Sequence, residues 1–160
     1  MTVIRQDDFI DSVADALQFI SYYHPVDFVQ AVHQAYEREL NPAAKDAMAQ
    51  ILINSRMCAE GHRPICQDTG IVTVFLKIGM DVQWDATLSV ADMVNEGVRR
   101  AYTHPDNVLR ASILEDPAGA RRNTKDNTPA VIHMEVVAGD TVDVQVAAKG
   151  GGSENKSKMV

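Results

Sequence analysis

The architecture of this chain depends on one apolar run, Ile71-Val72-Thr73-Val74-Phe75-Leu76-Lys77-Ile78. β-Branched and aromatic residues dominate it, and such residues are enriched in strands. A short apolar run that follows a loop rich in turn residues is typical of a mostly buried strand. We therefore expect a strand over residues 71–78.

The residues before this strand predict three helices. The first has its apolar residues at helical spacing, at Ile10, Val13, Leu17 and Ile20. Pro25 suits the first turn of the second helix. Asn41-Pro42, a capping side chain followed by proline, opens the third. We expect these helices, within residues 6–59, to form a small antiparallel layer.

The residues after the strand predict a helix and two further strands. Ser89 with Asp92 is a capping pair for a helix over 89–103. A polar, irregular stretch follows over 106–128, and then two alternating runs, 130–137 and 141–148, predict a β-hairpin. The expected fold is α/β, with an N-terminal helical layer packed on a small mixed β-sheet with a C-terminal β-hairpin.

Composition excludes some classes of function. The chain has 160 residues and a net charge of −7, so it offers no broad cationic face to nucleic acid or to anionic lipid. It has no apolar run of about 18 residues that could span a membrane, and no secretory signal at its start. Its 2 cysteines are too few for a disulfide scaffold, which favours a reducing cytoplasm.

The first candidate for chemistry is the loop over residues 63–70, which contains Cys66, Gln67 and Asp68. A cysteine in a globular chain is usually a small buried hydrophobe. Cys66, however, has polar neighbours and precedes a strand, which is where catalytic groups are often placed. Cys58 lies on a helical face at no common metal-ligand spacing from Cys66, and we interpret it as structural.

Two more polar clusters have both an ordinary and a functional interpretation. Arginine and amide side chains over 107–112 and 121–128 are solvated loop groups by default, but a guanidinium such as that of Arg110 also suits carboxylate recognition. Taken alone, Gly150, Gly151 and Gly152 favour a flexible tail. After a strand, they are also able to wrap backbone amides around an anion.

Taken together, the clusters resemble the class I, iron–sulfur-dependent fumarate hydratases in order and spacing. The resemblance rests on residues 63–70, on Asn127-Thr128-Pro129-Ala130, and on the lysine–triple-glycine segment over 149–157. It covers essentially the whole chain. The α subunits of iron–sulfur L-tartrate dehydratases resemble the first segment too, but their glycine segment differs, which favours the fumarate hydratase interpretation.

The resemblance implies a hydro-lyase that interconverts (S)-malate and fumarate plus water. It implies a [4Fe–4S] cluster with an open iron that acts as a Lewis acid, a dicarboxylate substrate and a homodimer. By position, Cys66 corresponds to a cluster ligand and Asp68 to the acid that assists the hydroxyl group. The substrate-binding groups it implies are Gln67, Arg110, Gly150, Gly151 and Gly152.

The resemblance also places two further cluster-binding cysteines downstream of Val160. We therefore expect residues 1–160 to be the N-terminal domain of a longer enzyme, truncated here, without an intact cluster or activity of its own. The alternatives are a segment like a tartrate dehydratase α subunit, or a non-catalytic interaction domain of the same fold.

Overall fold

A computed structural model describes residues 2–66, 70–107 and 109–150. In chain order, the elements are β1 (Val3–Arg5), α1 (Gln6–Tyr22), α2 (Val26–Arg38), α3 (Pro42–Gly61), β2 (Ile71–Gly79), β3 (Gln83–Asp85), α4 (Val90–Tyr102), β4 (Val131–Val137) and β5 (Val142–Lys149). These helices and a mixed sheet confirm the predicted α/β class. In the part of the chain that the structure describes, no helix is both long enough and apolar enough to span a bilayer.

The chain divides into two compact units. Residues 1–18 and 68–160 form the first, which contains the strands, α4 and most of α1. Residues 19–67 form the second, which contains α2, α3 and the end of α1. The predicted helical layer is thus shared between the two units.

The caps predicted from sequence begin two of the helices. The Asn41 side chain accepts a hydrogen bond from the amide of Ala43 at 3.0 Å, and Pro42 is the first residue of α3. The Ser89 hydroxyl oxygen accepts one from the amide of Asp92 at 3.1 Å at the start of α4. Because these contacts are local, the sequence alone is enough to locate both helix starts.

The main sheet has the strand order β4-β2-β5. β2 pairs in parallel with β4 and antiparallel with β5. On its inner face, Val72, Val74 and Leu76 are at most 1% exposed, whereas Phe75 on the outer face is 46% exposed. The prediction of a mostly buried strand is therefore correct for one face only.

The predicted hairpin is wrong in its pairing. The two strands and their turn exist, but β2 lies between them. The turn passes over the end of β2, where the amide of Gly79 donates to the Thr141 carbonyl and that of Asp81 to the Gly139 carbonyl, both at 2.9 Å. Alternation distinguishes the two faces of a strand but not which strand is its neighbour. A central strand needs partners on both edges for its backbone groups, and β4 and β5 supply them.

This strand order brings three chain segments to one edge of the sheet. Ile71, at the start of β2, lies opposite Lys149, at the end of antiparallel β5. Val131, at the start of parallel β4, pairs with Thr73 of β2. Gly70, Ala130 and Gly150, the described residues next to these strand ends, therefore lie at the same edge.

Two short strands escape prediction from sequence. β1 and β3 pair in parallel, with Ile4 opposite Trp84. Each has only three residues, which is too few to show a period of two. The ring of Trp84 packs edge-on against Phe9 of α1, with centroids 5.3 Å apart.

The core of the first unit is formed largely by α1, α4 and the inner face of β2. α4 approaches α1 closely at Gly97, where an added Cβ would lie 2.7 Å from Val13 Cβ and 2.8 Å from the Ile10 carbonyl oxygen. Both Ile10 and Val13 are fully buried. Because tightly packed interiors accommodate extra atoms poorly, glycine is required at this crossing.

We predict that Gly97→Ala destabilises the protein. In an exposed helix interior this change would stabilise the helix by about 1 kcal/mol. Here the added methyl group meets Val13 and the backbone of Ile10, and we expect a net loss of about 1–3 kcal/mol. Urea unfolding followed by circular dichroism measures the change. A gain in stability would contradict the close contact between α1 and α4.

Candidate active site

The first and third polar segments meet through backbone at Gly70. Gly70 has φ +64°, in the left-handed region that favours glycine. A Cβ at this position would lie 1.9 Å from the Lys149 carbonyl oxygen and 2.5 Å from the Gly150 nitrogen. No side chain fits in that space, so this close approach of two chain segments needs a glycine.

The second polar segment reaches the same place through Asn127. Its side chain is 0% exposed. The amide nitrogen Nδ2 donates to the Gly70 carbonyl at 2.9 Å, and Oδ1 accepts from the backbone amide of Ser112, also at 2.9 Å. The three segments singled out in the sequence thus converge around Gly70.

Arg110 extends from a backbone that is held on both sides. Leu109 before it is 2% exposed. After it, the Ala111 carbonyl accepts a hydrogen bond from Asn123 Nδ2 at 2.9 Å, and the Ser112 amide is bound by Asn127. The Arg110 side chain itself is exposed. A guanidinium on an anchored backbone is suited to binding a carboxylate.

The stretch over 106–128, predicted to be irregular, contains a short hairpin. Thr124 N donates to the Ile113 carbonyl at 3.0 Å and Glu115 N to the Arg122 carbonyl at 2.7 Å. Asp116 closes the turn by accepting from the amide of Gly119 at 2.9 Å. Sequence reasoning missed this hairpin because backbone hydrogen bonds and the Asp116 turn, rather than an apolar alternation, define it.

A cavity of about 590 Å³ opens between the Gly70 segment and this hairpin. Its described walls are predominantly apolar and comprise Gly70, Ile71, Ser112, Ile113, Leu114, Glu115, Pro117 and Pro129. The volume lies within the usual range for small-molecule sites. Arg110 precedes this wall by two residues.

Asp126, the residue before Asn127, links Thr128, the residue after it, to Arg99 of α4. Its Oδ1 accepts from the Thr128 hydroxyl at 2.7 Å and the Thr128 amide at 3.1 Å, and its Oδ2 accepts from Arg99 Nε of α4 at 3.2 Å. Burial by itself would raise the pKa of the Asp126 carboxyl, but these hydrogen bonds and the guanidinium charge outweigh it, so the pKa lies below its ordinary value.

Cys66 lies at the end of the second unit and is exposed. The backbone of Ile65, the residue before it, is held by two hydrogen bonds. The Ile65 amide donates to the Ser21 carbonyl at 2.8 Å, and Asn54 Nδ2 donates to the Ile65 carbonyl at 3.1 Å. Cys58 is 5% exposed within α3, in agreement with its interpretation as structural. Gln67, Asp68, Gly151 and Gly152 lie outside the described residues.

The described residues alone do not supply enough ligands to hold an iron–sulfur cluster. Such a cluster is held by several cysteine thiolates. Residues 2–66, 70–107 and 109–150 contain one exposed thiol, Cys66, and no group of three or more histidine, cysteine or acidic side chains that could hold a metal ion. The described part of this chain therefore offers one exposed thiol and not a complete cluster site.

The first unit brings glycine backbone together at one sheet edge and connects it, through Asn127, to the segment that carries the exposed Arg110. Glycine backbone and guanidinium groups are suited to binding a small anion. Comparison with known proteins identifies the family to which this chain belongs. The fumarate hydratase (Fumerase) family profile matches residues 10–160. The chain therefore belongs to the fumarate hydratase family of hydro-lyases.

Individual relatives are of two kinds. The chain is 33% identical over 124 residues to the anaerobic class I fumarate hydratase of Escherichia coli K12, which covers 78% of this chain and 22% of that protein. It is 28% identical over 153 residues to a putative L(+)-tartrate dehydratase subunit alpha of Methanocaldococcus jannaschii, covering 93% of this chain and 53% of that protein. A putative class I fumarate hydratase of Geobacillus stearothermophilus is 31% identical over 138 residues, covering 83% of this chain and 25% of that protein. The chain thus spans about half the length of the tartrate dehydratase subunit and about a quarter of the fumarate hydratases.

We predict that Gly70→Ala disrupts the convergence of the three segments. The new Cβ would meet the Lys149 carbonyl, and alanine disfavours a φ of +64°. We expect a loss of stability of about 2 kcal/mol or more, measured by urea unfolding. Gly61→Ala is the matched control, because a Cβ there makes only ordinary contacts, at 3.7 Å or more, with the Arg63 side chain. Equal stability of the two variants would contradict the tight contact at Gly70.

We also predict a pH-dependent role for Asp126. Because its folded pKa is lowered, its charge stabilises the fold above the unfolded pKa of about 3.9, and this contribution is lost as pH falls through the folded value. Asp126→Asn should cost about 1 kcal/mol at pH 7, and the difference from wild type should shrink below about pH 4.

Urea unfolding at pH 7 and pH 3 measures this difference. Asp106→Asn, an exchange at an exposed position, is the control and should have little effect at either pH. A deficit of Asp126→Asn that is the same at both pH values would contradict an ionised Asp126 as the anchor.

Proposed function

We propose that this chain supplies part of the active site of a hydro-lyase that interconverts (S)-malate and fumarate plus water. The observation that carries the proposal is the meeting of three sequence segments around Gly70, through Asn127 and the backbone of Lys149–Gly150. Membership of the fumarate hydratase family supports the reaction type.

The substrate of this reaction is a dicarboxylate, and the chain is acidic overall. Local groups must therefore bind the two carboxylates. Arg110 is proposed to pair with one of them. Backbone amides over Gly150 to Gly152 would line the pocket, and Gln67 would contact the substrate from the segment that precedes Gly70.

Asp68 is proposed as the acid of the dehydration step. The bond between carbon and the hydroxyl oxygen of malate breaks, and a proton from the Asp68 carboxyl joins the leaving hydroxide to form water. In hydration the same carboxylate takes a proton back from water. The base that removes the proton from carbon is not assigned to any residue of this chain.

A [4Fe–4S] cluster is the proposed cofactor, with Cys66 as one of its ligands. The remaining thiolates would come from outside the described residues. When bound, the cluster supplies an iron with an open coordination position, which acts as a Lewis acid toward the hydroxyl group. Cys66 suits this role because its thiol is exposed and its preceding residue is anchored. By resemblance we also propose a homodimer in a reducing cytoplasm.

L-Tartrate dehydration is the second candidate reaction. It is favoured by the long alignment with the tartrate dehydratase subunit alpha, which includes 93% of this chain. The segments around Gly70 suit either substrate, because both are four-carbon dicarboxylates. A non-catalytic interaction domain of the same fold is the alternative to both.

Turnover by the protein expressed from its complete reading frame tests these assignments. After anaerobic reconstitution with iron and sulfide, ultraviolet absorbance follows fumarate formed from malate, and a coupled assay follows the product of L-tartrate. We expect malate to be the better substrate. A protein that carries a full complement of cluster and converts neither compound would refute the proposal in favour of the interaction domain.

Arg110→Lys tests carboxylate recognition in the same assay. Loss of the two-pronged guanidinium contact should raise KM about ten- to a hundredfold, with a smaller effect on kcat. Arg122→Lys is the control, since Arg122 is exposed and pairs with Glu115 on the hairpin at 3.3 Å. A KM of Arg110→Lys equal to that of the control would contradict the assigned role.

A further inference from the structure

We infer that Asn127 is a positioning residue that sets the spacing between the Gly70 segment and the Arg110 segment. This inference rests on the proposed function and goes beyond it, because Asn127 is not among the residues proposed to touch the substrate. It acts through two backbone groups, the Gly70 carbonyl and the Ser112 amide.

The chemistry of the side chain supports a bridging role. A primary amide carries a donor and an acceptor on one rigid plane. In Asn127 both ends are used, each at 2.9 Å, and the side chain is fully buried. The two partners belong to different segments, so the length of one amide group determines how far apart they lie. Aspartate would retain the acceptor and lose the donor.

The bridge is itself held in place from α4. Asp126, before Asn127, is bound by Arg99, and the Ala130 amide donates to Asn95 Oδ1 at 2.9 Å. Asn127 has φ +61°, a conformation that asparagine tolerates better than most residues. Because hydrogen bonds hold the backbone on both sides of Asn127, the position of its side-chain amide between the two segments is fixed.

The consequence concerns the length of ligand that the site accepts. Ser112 follows Arg110 by two residues, and Gly70 lies directly against the backbone of Lys149 and Gly150. A shift in the Gly70–Ser112 spacing would therefore change the distance between the Arg110 segment and the Gly150 backbone, both of which are proposed to bind the substrate. Misplacement of about 1 Å can lower a rate about a hundredfold.

Asn127→Asp tests this inference in the reconstituted protein from the complete reading frame. We expect kcat/KM to fall about ten- to a hundredfold. We also measure the inhibitor ratio, which is the ratio of the inhibition constants of the competitive inhibitors succinate and glutarate; these differ by one methylene. This ratio should approach one by about threefold or more, because the amide group no longer sets the spacing between Gly70 and Ser112. A purely structural role would reduce the amount of folded protein and leave this inhibitor ratio unchanged.

Asn95→Asp is the matched control. It keeps the acceptor for the Ala130 amide and loses the donation from Nδ2 to the Ala91 carbonyl within α4. Its kcat/KM should remain within about threefold of wild type, well short of the loss expected from misplaced groups, and its inhibitor ratio should equal that of wild type. Asn127→Gly is the second test variant, since glycine accepts the positive φ and removes both contacts.

Each outcome has a defined meaning. A folded Asn127→Asp or Asn127→Gly protein that matches Asn95→Asp in kcat/KM and inhibitor ratio would overturn the inference. If neither Asn127 variant folds, Asn127 is a requirement for folding rather than a positioning residue, and the inference is overturned as well. A wild-type protein with a full cluster and no turnover would instead refute the proposed function.

Discussion

The backbone of β2 has two edges, and each edge must find hydrogen-bond partners inside the first unit. β4 meets one edge in parallel and β5 meets the other antiparallel. This pairing places the starts of β2 and β4 beside the end of β5. Each segment of the candidate site that the structure describes is attached to one of these strand ends or to the hairpin bound to them. The constraint that completes the sheet therefore also assembles the site.

Within the site, backbone contacts carry most of the organisation. Gly70 lets two chain segments approach to a distance that excludes any side chain. The buried amide of Asn127 then joins the same point to the segment that carries Arg110. Few charged groups are needed for this arrangement. Asp126 and Arg99 are the exception, and they connect this corner to α4.

The family relationship and the geometry support each other from different directions. The profile match over residues 10–160 places the chain among the fumarate hydratases. Independently, the segments that carry the resemblance prove to be neighbours in space wherever the structure describes them within the first unit. Cys66 belongs to the second unit, and the described residues offer it no companion thiol on the surface. Its proposed role as a ligand therefore rests on the resemblance and on the anchored residue that precedes it.

The sequence by itself determined the local elements and the identity of the polar segments. Asn41 and Ser89 mark helix starts in the sequence, because the side chain of a capping residue contacts residues only two or three positions away. The β-branched, aromatic run marks β2 as a strand, and the alternation of apolar and polar side chains marks β4 and β5. Tertiary structure alone decided that β2 separates β4 from β5, that residues 113–124 form a hairpin, and that Asn127 bridges two segments. The strand order and the Asn127 bridge depend on hydrogen bonds between residues far apart in the chain, and no local pattern encodes the partner of such a bond. The hairpin is local, but no apolar alternation marks it.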